Sequence, residues 1–325
     1  MLLLSEKQVQ DLIDIDELIA TLEQAHIQYS TGKAVMPVRL VVPLPRIHGR
    51  ITSMPGFLND DNALGMKVVT YFQENPQRGL PAILATIMLF SAETGKMIAA
   101  MDGSYITAIR TACASAVATK ALANRETPVL GILGAGVQAR AHIRALSRVR
   151  KLTKMKIYSP SGTSAASLKR DLESETGIAI QVAASAEDAV HHCDLVVTVT
   201  TAKEPILDQD WLKPGAHINA VGSHRPDLRE IDGATLARAK VVVDSREAIM
   251  AECGDILLAL QEKSISANAI HAEIGEVLAG MKPGRESASE ITLYKSVGIA
   301  IQDVATANLV YRKALAQKVG TNVEI

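Results

Sequence analysis

The sequence predicts an α/β protein that joins a doubly wound parallel sheet of the Rossmann type to an α+β domain with a mostly antiparallel sheet. Up to about residue 103, short β-like runs follow one another without helices between them, which indicates antiparallel pairing. From residue 128, apolar runs alternate with helix-like segments, as in a parallel sheet covered on both faces. We therefore predict one domain of residues 1–123 and 302–325 and a second of residues 124–301.

Within the first domain, helical spacing of apolar residues predicts a helix that is capped by Asp14 or Asp16 and stopped by Gly32. The strand candidates are "RLVVPLP", "RITSMPGFL", "ALGMKVVTYF" and "AILATIMLF". The last of these is expected to form a hairpin with "KMIAAM" across "SAETG". A buried, alanine-rich helix should begin at Ser104, and "YKSVGIAIQDVATANLVYRKALAQ" predicts a final long helix.

Composition excludes several classes of function. The 325 residues carry a net charge of −1 without a basic run, which argues against nucleic acid and anionic membrane as partners. No apolar stretch approaches the roughly 18 residues of a membrane span. Cys113, Cys193 and Cys253 are far apart and form no metal-binding motif, so we expect buried thiols, no metal and a cytoplasmic protein.

The segment "VLGILGAGVQARAHIRAL", residues 129–146, predicts a dinucleotide site because a glycine turn joins a strand to a helix inside an alternating unit. Gly134 permits the tight turn and Gly136 lets the backbone approach a pyrophosphate. Ala139 allows helix and strand to pack closely. The free N–H groups at the helix N-terminus would then face the phosphates.

The stretch after the second strand bears on which dinucleotide is bound. A carboxylate about 20 residues past the glycines would bind a ribose 2′-hydroxyl and repel a 2′-phosphate. In "KMKIYSPSGTSAASLKRD" no acid precedes Asp171, and hydroxyls stand at Ser159, Ser161 and Thr163. We therefore predict NADP as the cofactor, with NAD possible because no arginine is present there.

Three cations lie in apolar surroundings. Strand alternation places Lys67 on one face with Gly65, Val69 and Tyr71, and Arg110 lies in a helix too apolar to be solvated all round. Arg39 lies in the apolar run "MPVRLVV". Each cation needs a partner, which is either an internal carboxylate or an anionic substrate.

The chain resembles the ornithine cyclodeaminase/mu-crystallin family from about Pro37 to Tyr311. The motifs that carry the resemblance are "MPVRLVVP", "LGMKVVTY", "AAMDGSYITAIRTA", "ILGAGVQA", "VTVTTAKEPIL", "KPGAHINAVGSHRPDLREID", "VDSREA" and "AEIGEVLAG". The resemblance implies a homodimer whose sheet-based domain serves substrate binding and dimerisation, next to a Rossmann domain for the cofactor. It also implies an α-imino or α-amino acid as substrate.

The family's motifs imply a role for individual residues. Arg39, Lys67 and Arg110 resemble its carboxylate-binding and catalytic cations. The cofactor contacts implied by the resemblance are Thr111, Gly136, Val137, Gln138, Thr200, Val221 and Ser296. One departure is His224, which stands where the cyclodeaminases carry an aspartate that acts on the substrate amine and on water. An imidazole suits a cationic amine poorly but can shuttle a proton near neutral pH, so His224 is a candidate catalytic residue or a spectator.

These points predict an NAD(P)H-dependent reductase of α-imino acids, such as the cyclic ketimines pyrroline-2-carboxylate and piperideine-2-carboxylate. Lys67 would keep the imine nitrogen protonated while Arg39 and Arg110 hold the carboxylate. The alternatives are an amino acid dehydrogenase of the alanine dehydrogenase type and an ornithine cyclodeaminase. A small-ligand-binding, crystallin-like role without catalysis is a further possibility of a different class.

Overall fold

The structure is a computed structural model that describes residues 1–324. Its strands are β1 (Leu2–Leu4), β2 (Ala34–Val35), β3 (Leu40–Leu44), β4 (Gly49–Leu58), β5 (Ala63–Phe72), β6 (Ile83–Ser91), β7 (Met97–Asp102), β8 (Val129–Leu133), β9 (Lys154–Tyr158), β10 (Ala179–Val182), β11 (Leu195–Thr198), β12 (His217–Ala220), β13 (Lys240–Val243), β14 (Ile270–Glu273), β15 (Thr292–Lys295) and β16 (Thr321–Asn322). Its α-helices are α1 (Glu6–Leu12), α2 (Ile15–Ser30), α3 (Ser104–Leu122), α4 (Val137–Val149), α5 (Gly162–Thr176), α6 (Ala186–Val190), α7 (Gly233–Arg238), α8 (Arg246–Glu252), α9 (Gly254–Gln261), α10 (Ile274–Leu278) and α11 (Ala300–Gln317).

Internal contacts divide the chain into two compact units. The first contains Met1–Thr111 and the residues from Ile299 onward, and the second contains Ala112–Gly298. The sequence places the first boundary after residue 123, whereas the contacts place it inside α3. This helix begins where the Asp102 carboxylate accepts the N–H groups of Ser104 and Tyr105, at 3.1 Å each.

The first unit is built on a sheet with the order β16-β1-β7-β6-β5-β4-β2, to which β3 is added by pairing with β4. All pairs are antiparallel except β1 with β7. The predicted hairpin of β6 and β7 and the mostly antiparallel sheet are therefore confirmed. Helix α11 packs on β4, β5 and β6, and α2 packs on α11.

The second unit contains an entirely parallel sheet with the order β10-β9-β8-β11-β12-β15-β13-β14. The predicted doubly wound α/β class is confirmed. The chain runs outward from β8 to β10 on one side and from β11 to β12 on the other, so the direction of winding reverses between β8 and β11. Ligands of such sheets bind at the carboxyl ends of the strands beside this reversal.

Two details of the predicted elements are wrong. The final helix begins at Ala300 and not at Tyr294, because Thr292–Lys295 forms the buried strand β15 between β12 and β13. Gly298, with φ of +75°, turns the chain between strand and helix. Arg39 lies just before β3 and not within a strand.

The helices of residues 1–324 include none with the length and apolar character needed to cross a bilayer.

Candidate active site

A buried cluster of charges lies where β5, α3 and α11 meet in the first unit. Asp303 of α11 pairs through one carboxylate oxygen with Lys67 Nζ at 2.8 Å and through the other with Arg110 Nε at 2.9 Å. The side chains of Lys67, Arg110 and Asp303 are 2%, 5% and 0% exposed. Two of the three cations that the sequence singled out, Lys67 and Arg110, therefore share one internal carboxylate.

The local structure explains why these groups meet. Alternation along β5 places Gly65 and Lys67 on one face, as predicted. This face is turned toward α11, and a Cβ at Gly65 would lie 3.3 Å from Val304. The adjacent Gln302 accepts a hydrogen bond from Arg110 Nη1, and its amide nitrogen lies 3.1 Å from Nε2 of the buried His26 on α2. Asp303 and Gln302 thus fix the direction of the Arg110 guanidinium.

The electrostatics of this cluster favour an anion. Two cations face one carboxylate, and Arg39, which is half-buried, contributes a third positive charge close enough to affect Lys67. Burial, reinforced by Arg110 and Arg39 and opposed by Asp303, lowers the pKa of Lys67 to about 7. Lys67 can therefore both donate and accept a proton near neutral pH, while Arg110 Nη2 makes no hydrogen bond to any described residue.

The second unit has a cavity of about 800 Å³ at the carboxyl ends of β8, β9 and β11. Three of the predicted cofactor residues line it: Gly134, Ser159 and Thr200. Gly134 has φ of +114°, and a Cβ there would lie 2.7 Å from the Val199 carbonyl oxygen, so only glycine fits this turn. The other lining residues include Tyr158, Pro160, Ile206, Asp208, Trp211 and Asp232.

The start of α4 fits a dinucleotide phosphate. Gly136 is the N-cap, offers no side-chain cap, and has no atom within 4 Å of the position a Cβ would take. Val137, the first residue of the helix, is 71% exposed, so this end of the helix is open to solvent. The backbone of Gln138 accepts a hydrogen bond from His142 inside the helix. The open, uncapped N-terminus is the kind of site that binds phosphate.

The remaining predicted site residues make internal contacts. The hydroxyl of Thr111 donates to Thr107 O, and that of Ser296 donates to the buried Asp244. Val221 is buried after β12. His224 donates through Nδ1 to the Gly222 carbonyl oxygen at 2.9 Å.

Two further cofactor candidates, Ser161 and Thr163, lie at the N-terminus of α5. Ser161 is the N-cap but makes no capping hydrogen bond, and its hydroxyl instead lies 2.8 Å from that of Thr163. Neither residue lines the cavity, although Ser159 two positions earlier does.

Sequence reasoning missed Asp303, Gln302 and the buried Glu230. A signal for Asp303 was present, because an acid stands among apolar residues in "AIQDVATANLV" on the face that a core helix would bury. Within residues 1–324, no group of three or more His, Cys, Asp or Glu side chains is placed to hold a metal ion.

The chain is therefore a two-unit α/β protein. One unit has a mostly antiparallel sheet and a buried cationic cluster, and the other has a Rossmann-type parallel sheet with an open glycine turn. Residues 1–318 match the model of the ornithine cyclodeaminase/mu-crystallin family, and the chain belongs to this family.

Three known proteins illustrate the likeness. Ketimine reductase mu-crystallin of Mus musculus is 39% identical over 312 residues, which are 95% of this chain and 96% of the mouse protein. Delta(1)-pyrroline-2-carboxylate reductase of Thermococcus litoralis, solved with NADH and L-proline, superposes with a TM-score of 0.97 at 43% identity over 99% of this chain and all of its own. An archaeal alanine dehydrogenase dimer with bound NAD gives 0.94 at 38% identity, over all of this chain and 99% of its own.

Proposed function

We propose that this protein is an NAD(P)H-dependent reductase that converts cyclic α-imino acids, such as pyrroline-2-carboxylate or piperideine-2-carboxylate, to L-amino acids. The observation that carries the proposal is the buried Lys67, which has a pKa of about 7. Its ammonium group and the Arg110 guanidinium pair with the same carboxylate, that of Asp303. The activities of the pyrroline-2-carboxylate and ketimine reductases among the relatives support it.

The residues of the first unit would act on the substrate. Arg110, through Nη2, and Arg39 bind its carboxylate, because a guanidinium forms strong charge-assisted hydrogen bonds to such a group. Lys67 donates a proton to the imine nitrogen, and the resulting iminium carbon is far more electrophilic than the neutral imine carbon. Asp303 holds both cations in place and raises the protonated fraction of Lys67.

The residues of the second unit would hold the nicotinamide cofactor, which supplies the hydride when bound. The backbone N–H groups at the start of α4 would hold the pyrophosphate. The Ser159 side of the cavity, after β9, would hold the adenosine, and the Thr200 side, after β11, would lie toward the nicotinamide. His224 remains a predicted second proton donor.

The experiment that tests the proposal is a substrate panel. The protein is incubated with NADPH or NADH and, separately, with cyclic imino acids and with pyruvate plus ammonia. In a further arm it is incubated with NADP+ or NAD+ and ornithine. Cofactor oxidation with the cyclic imino acids and formation of the corresponding L-amino acid are expected. Oxidation with pyruvate and ammonia alone would favour the alanine dehydrogenase reaction, which the similarity to the archaeal enzyme makes the second candidate. Ornithine consumed in the presence of oxidised cofactor without net cofactor reduction would indicate cyclodeamination.

We propose NADPH as the preferred cofactor. The uncapped N-terminus of α5, with the Ser161 and Thr163 hydroxyls, suits a 2′-phosphate, and no acid follows β9 before Asp171. Asp208 and Asp232 also line the cavity, and their negative charge would oppose binding of a 2′-phosphate. The ratio of kcat/KM for NADPH to that for NADH decides whether this effect outweighs the α5 N-terminus.

Ser161→Asp should lower kcat/KM for NADPH about ten-fold or more, because it sets a carboxylate against the 2′-phosphate. The value for NADH should change by less than about three-fold. Ser174→Asp, at the other end of α5, is the matched control and should leave both values near those of the wild type. Near-equal kcat/KM for NADPH and NADH in the wild type would contradict the preference.

We propose that the protein is a homodimer formed through the face of the first sheet opposite Lys67. Val42, Ile51, Thr70 and Leu84 lie side by side across β3, β4, β5 and β6 on this face. The three apolar members of the row are 38–46% exposed. An apolar patch of this kind marks an interface, and the alanine dehydrogenase relative is a dimer.

Val42→Asp should convert the dimer to a monomer, because it buries an unpaired carboxylate in the interface. Light scattering should give twice the 34.7 kDa of the chain for the wild type and a single chain mass for the variant. Val182→Asp, at an exposed valine of β10, is the control and should remain a dimer. A monomeric wild type would overturn the proposal.

We further propose the cytoplasm as its compartment. The thiols of Cys113, Cys193 and Cys253 are buried and form no disulfide with one another. Burial raises the pKa of Cys193 to about 11 and that of Cys253 to about 12, so both stay protonated and inert.

A further inference from the structure

The carboxylate of Glu230 joins the ends of two neighbouring parallel strands. One oxygen accepts the N–H and the hydroxyl of Thr200, after β11, at 2.6 and 2.7 Å. The other accepts the hydroxyl of Thr198 and the N–H of Gly222, after β12, at 2.7 Å each. Burial raises the pKa of the Glu230 carboxyl, and its hydrogen bonds from Thr200 and Thr198 oppose this effect. The other two of its four donors are backbone N–H groups, which can only donate.

The backbone at Glu230 is held in turn by the carboxylate of Asp255. Its own N–H and that of Ile231 donate to one oxygen of Asp255, at 2.7 and 3.0 Å. The other Asp255 oxygen pairs with Lys295 Nζ at 2.9 Å, and both side chains are 0% exposed. Because Lys295 is the last residue of β15, a continuous chain of buried contacts connects the carboxyl ends of β11, β12 and β15.

The two segments held by Glu230, at Thr200 and at Gly222, lie in close contact. A Cβ at Gly222 would lie 2.3 Å from the Thr200 carbonyl oxygen and 2.4 Å from the Glu230 carboxylate, so no other residue fits. Thr200 lines the cavity next to the glycine turn, and the strand that it follows flanks the point where the sheet reverses its winding. The Glu230 carboxylate therefore fixes the backbone of the dinucleotide site at the ends of β11 and β12.

We infer that Glu230 is a positioning residue that fixes the segments after β11 and β12 so that the nicotinamide ring is held for hydride transfer. The inference rests on the proposed function. Glu230 acts through Thr198, Thr200 and Gly222, and the four hydrogen bonds replace the solvation that a buried carboxylate loses. Removing one donor should therefore slow hydride transfer more than it weakens binding of the adenosine half.

Thr198→Val tests this inference, because it removes one hydroxyl donor with little change in shape at a buried position that does not line the cavity. Thr198→Ser keeps the donor and is the matched control. The readout is the single-turnover rate constant for hydride transfer from reduced cofactor to a cyclic imino acid, checked with cofactor deuterated at the transferred position. A loss of folded protein alone leaves this rate constant unchanged.

We expect Thr198→Val to lower the rate constant about ten-fold, while Thr198→Ser stays within about two-fold of the wild type. Affinity for ADP-ribose should change by less than about two-fold in both variants. Glu230→Gln, which presents an amide to backbone donors, should lower the rate constant further. An active wild type with an unchanged rate constant in Thr198→Val would overturn the inference alone. A wild type without hydride transfer to imino acids would overturn the proposed function, and the inference with it.

Discussion

Lys67→Met should lower kcat for imino acid reduction about 100-fold or more, because it removes the proton donor of the reaction. The fold should survive, since Asp303 keeps its contact with Arg110 at 2.9 Å and methionine occupies a similar volume. Steady-state kinetics with a cyclic imino acid measure the effect, and a thermal melt confirms that the variant is folded.

Two further variants serve as controls: one tests whether Lys67 acts by proton donation or by its positive charge, and the other tests the loss of a lysine elsewhere. Lys67→Arg keeps a cation that cannot be deprotonated in the working range, so it should also lose most of kcat. Lys96→Met removes an exposed lysine from the turn between β6 and β7 and should behave as wild type. Wild-type kcat in Lys67→Met would show that the imine nitrogen is protonated by another group, and would remove Lys67 from the site.

Asp303→Asn should have the second-largest effect, because it removes the only carboxylate paired with both Lys67 and Arg110 among the described residues. Asp303 raises the pKa of Lys67, so its loss should move that pKa further down. A smaller fraction of Lys67 would then be protonated at neutral pH. The expected result is a fall of about ten-fold or more in kcat/KM at neutral pH, partly recovered at lower pH.

The shift in pH dependence distinguishes this effect from simple damage. An unstable variant loses rate at every pH, whereas a lower Lys67 pKa moves the descending limb of the profile to lower pH. Asp11→Asn neutralises an exposed acid on α1 and is the control. A descending limb at the wild-type position in Asp303→Asn would contradict the role assigned to Asp303.

Patterns local in sequence predicted much of the fold. Period-two alternation identified the face of β5 that carries Lys67, because β-strand geometry repeats within a few residues. The glycine turn was predictable for a similar reason. Gly134 meets Val199, but the requirement for a positive φ at that turn is imposed by the strand–turn–helix unit itself.

Contacts between distant residues were not predictable from local pattern. Arg110 and Asp303 are 193 residues apart, and nothing near either one indicates the other. The four apolar or neutral residues "ITLY" before Lys295 are compatible with a strand or a buried helix, and only their position between β12 and β13 decides. Glu230 lies in a polar loop sequence and is buried only because two strand ends direct donors at it.

The pH dependence of the reductase in both directions tests the central claim most directly, which is that Lys67 exchanges the proton of the imine nitrogen. Reduction requires protonated Lys67, so kcat for reduction should fall as pH rises through about 7, the pKa of this group. Oxidation of the L-amino acid requires neutral Lys67, so its kcat should rise over the same interval. Both limbs should vanish in Lys67→Met. Profiles that are flat across neutral pH in the wild type, or limbs that persist unchanged in the variant, would contradict the account.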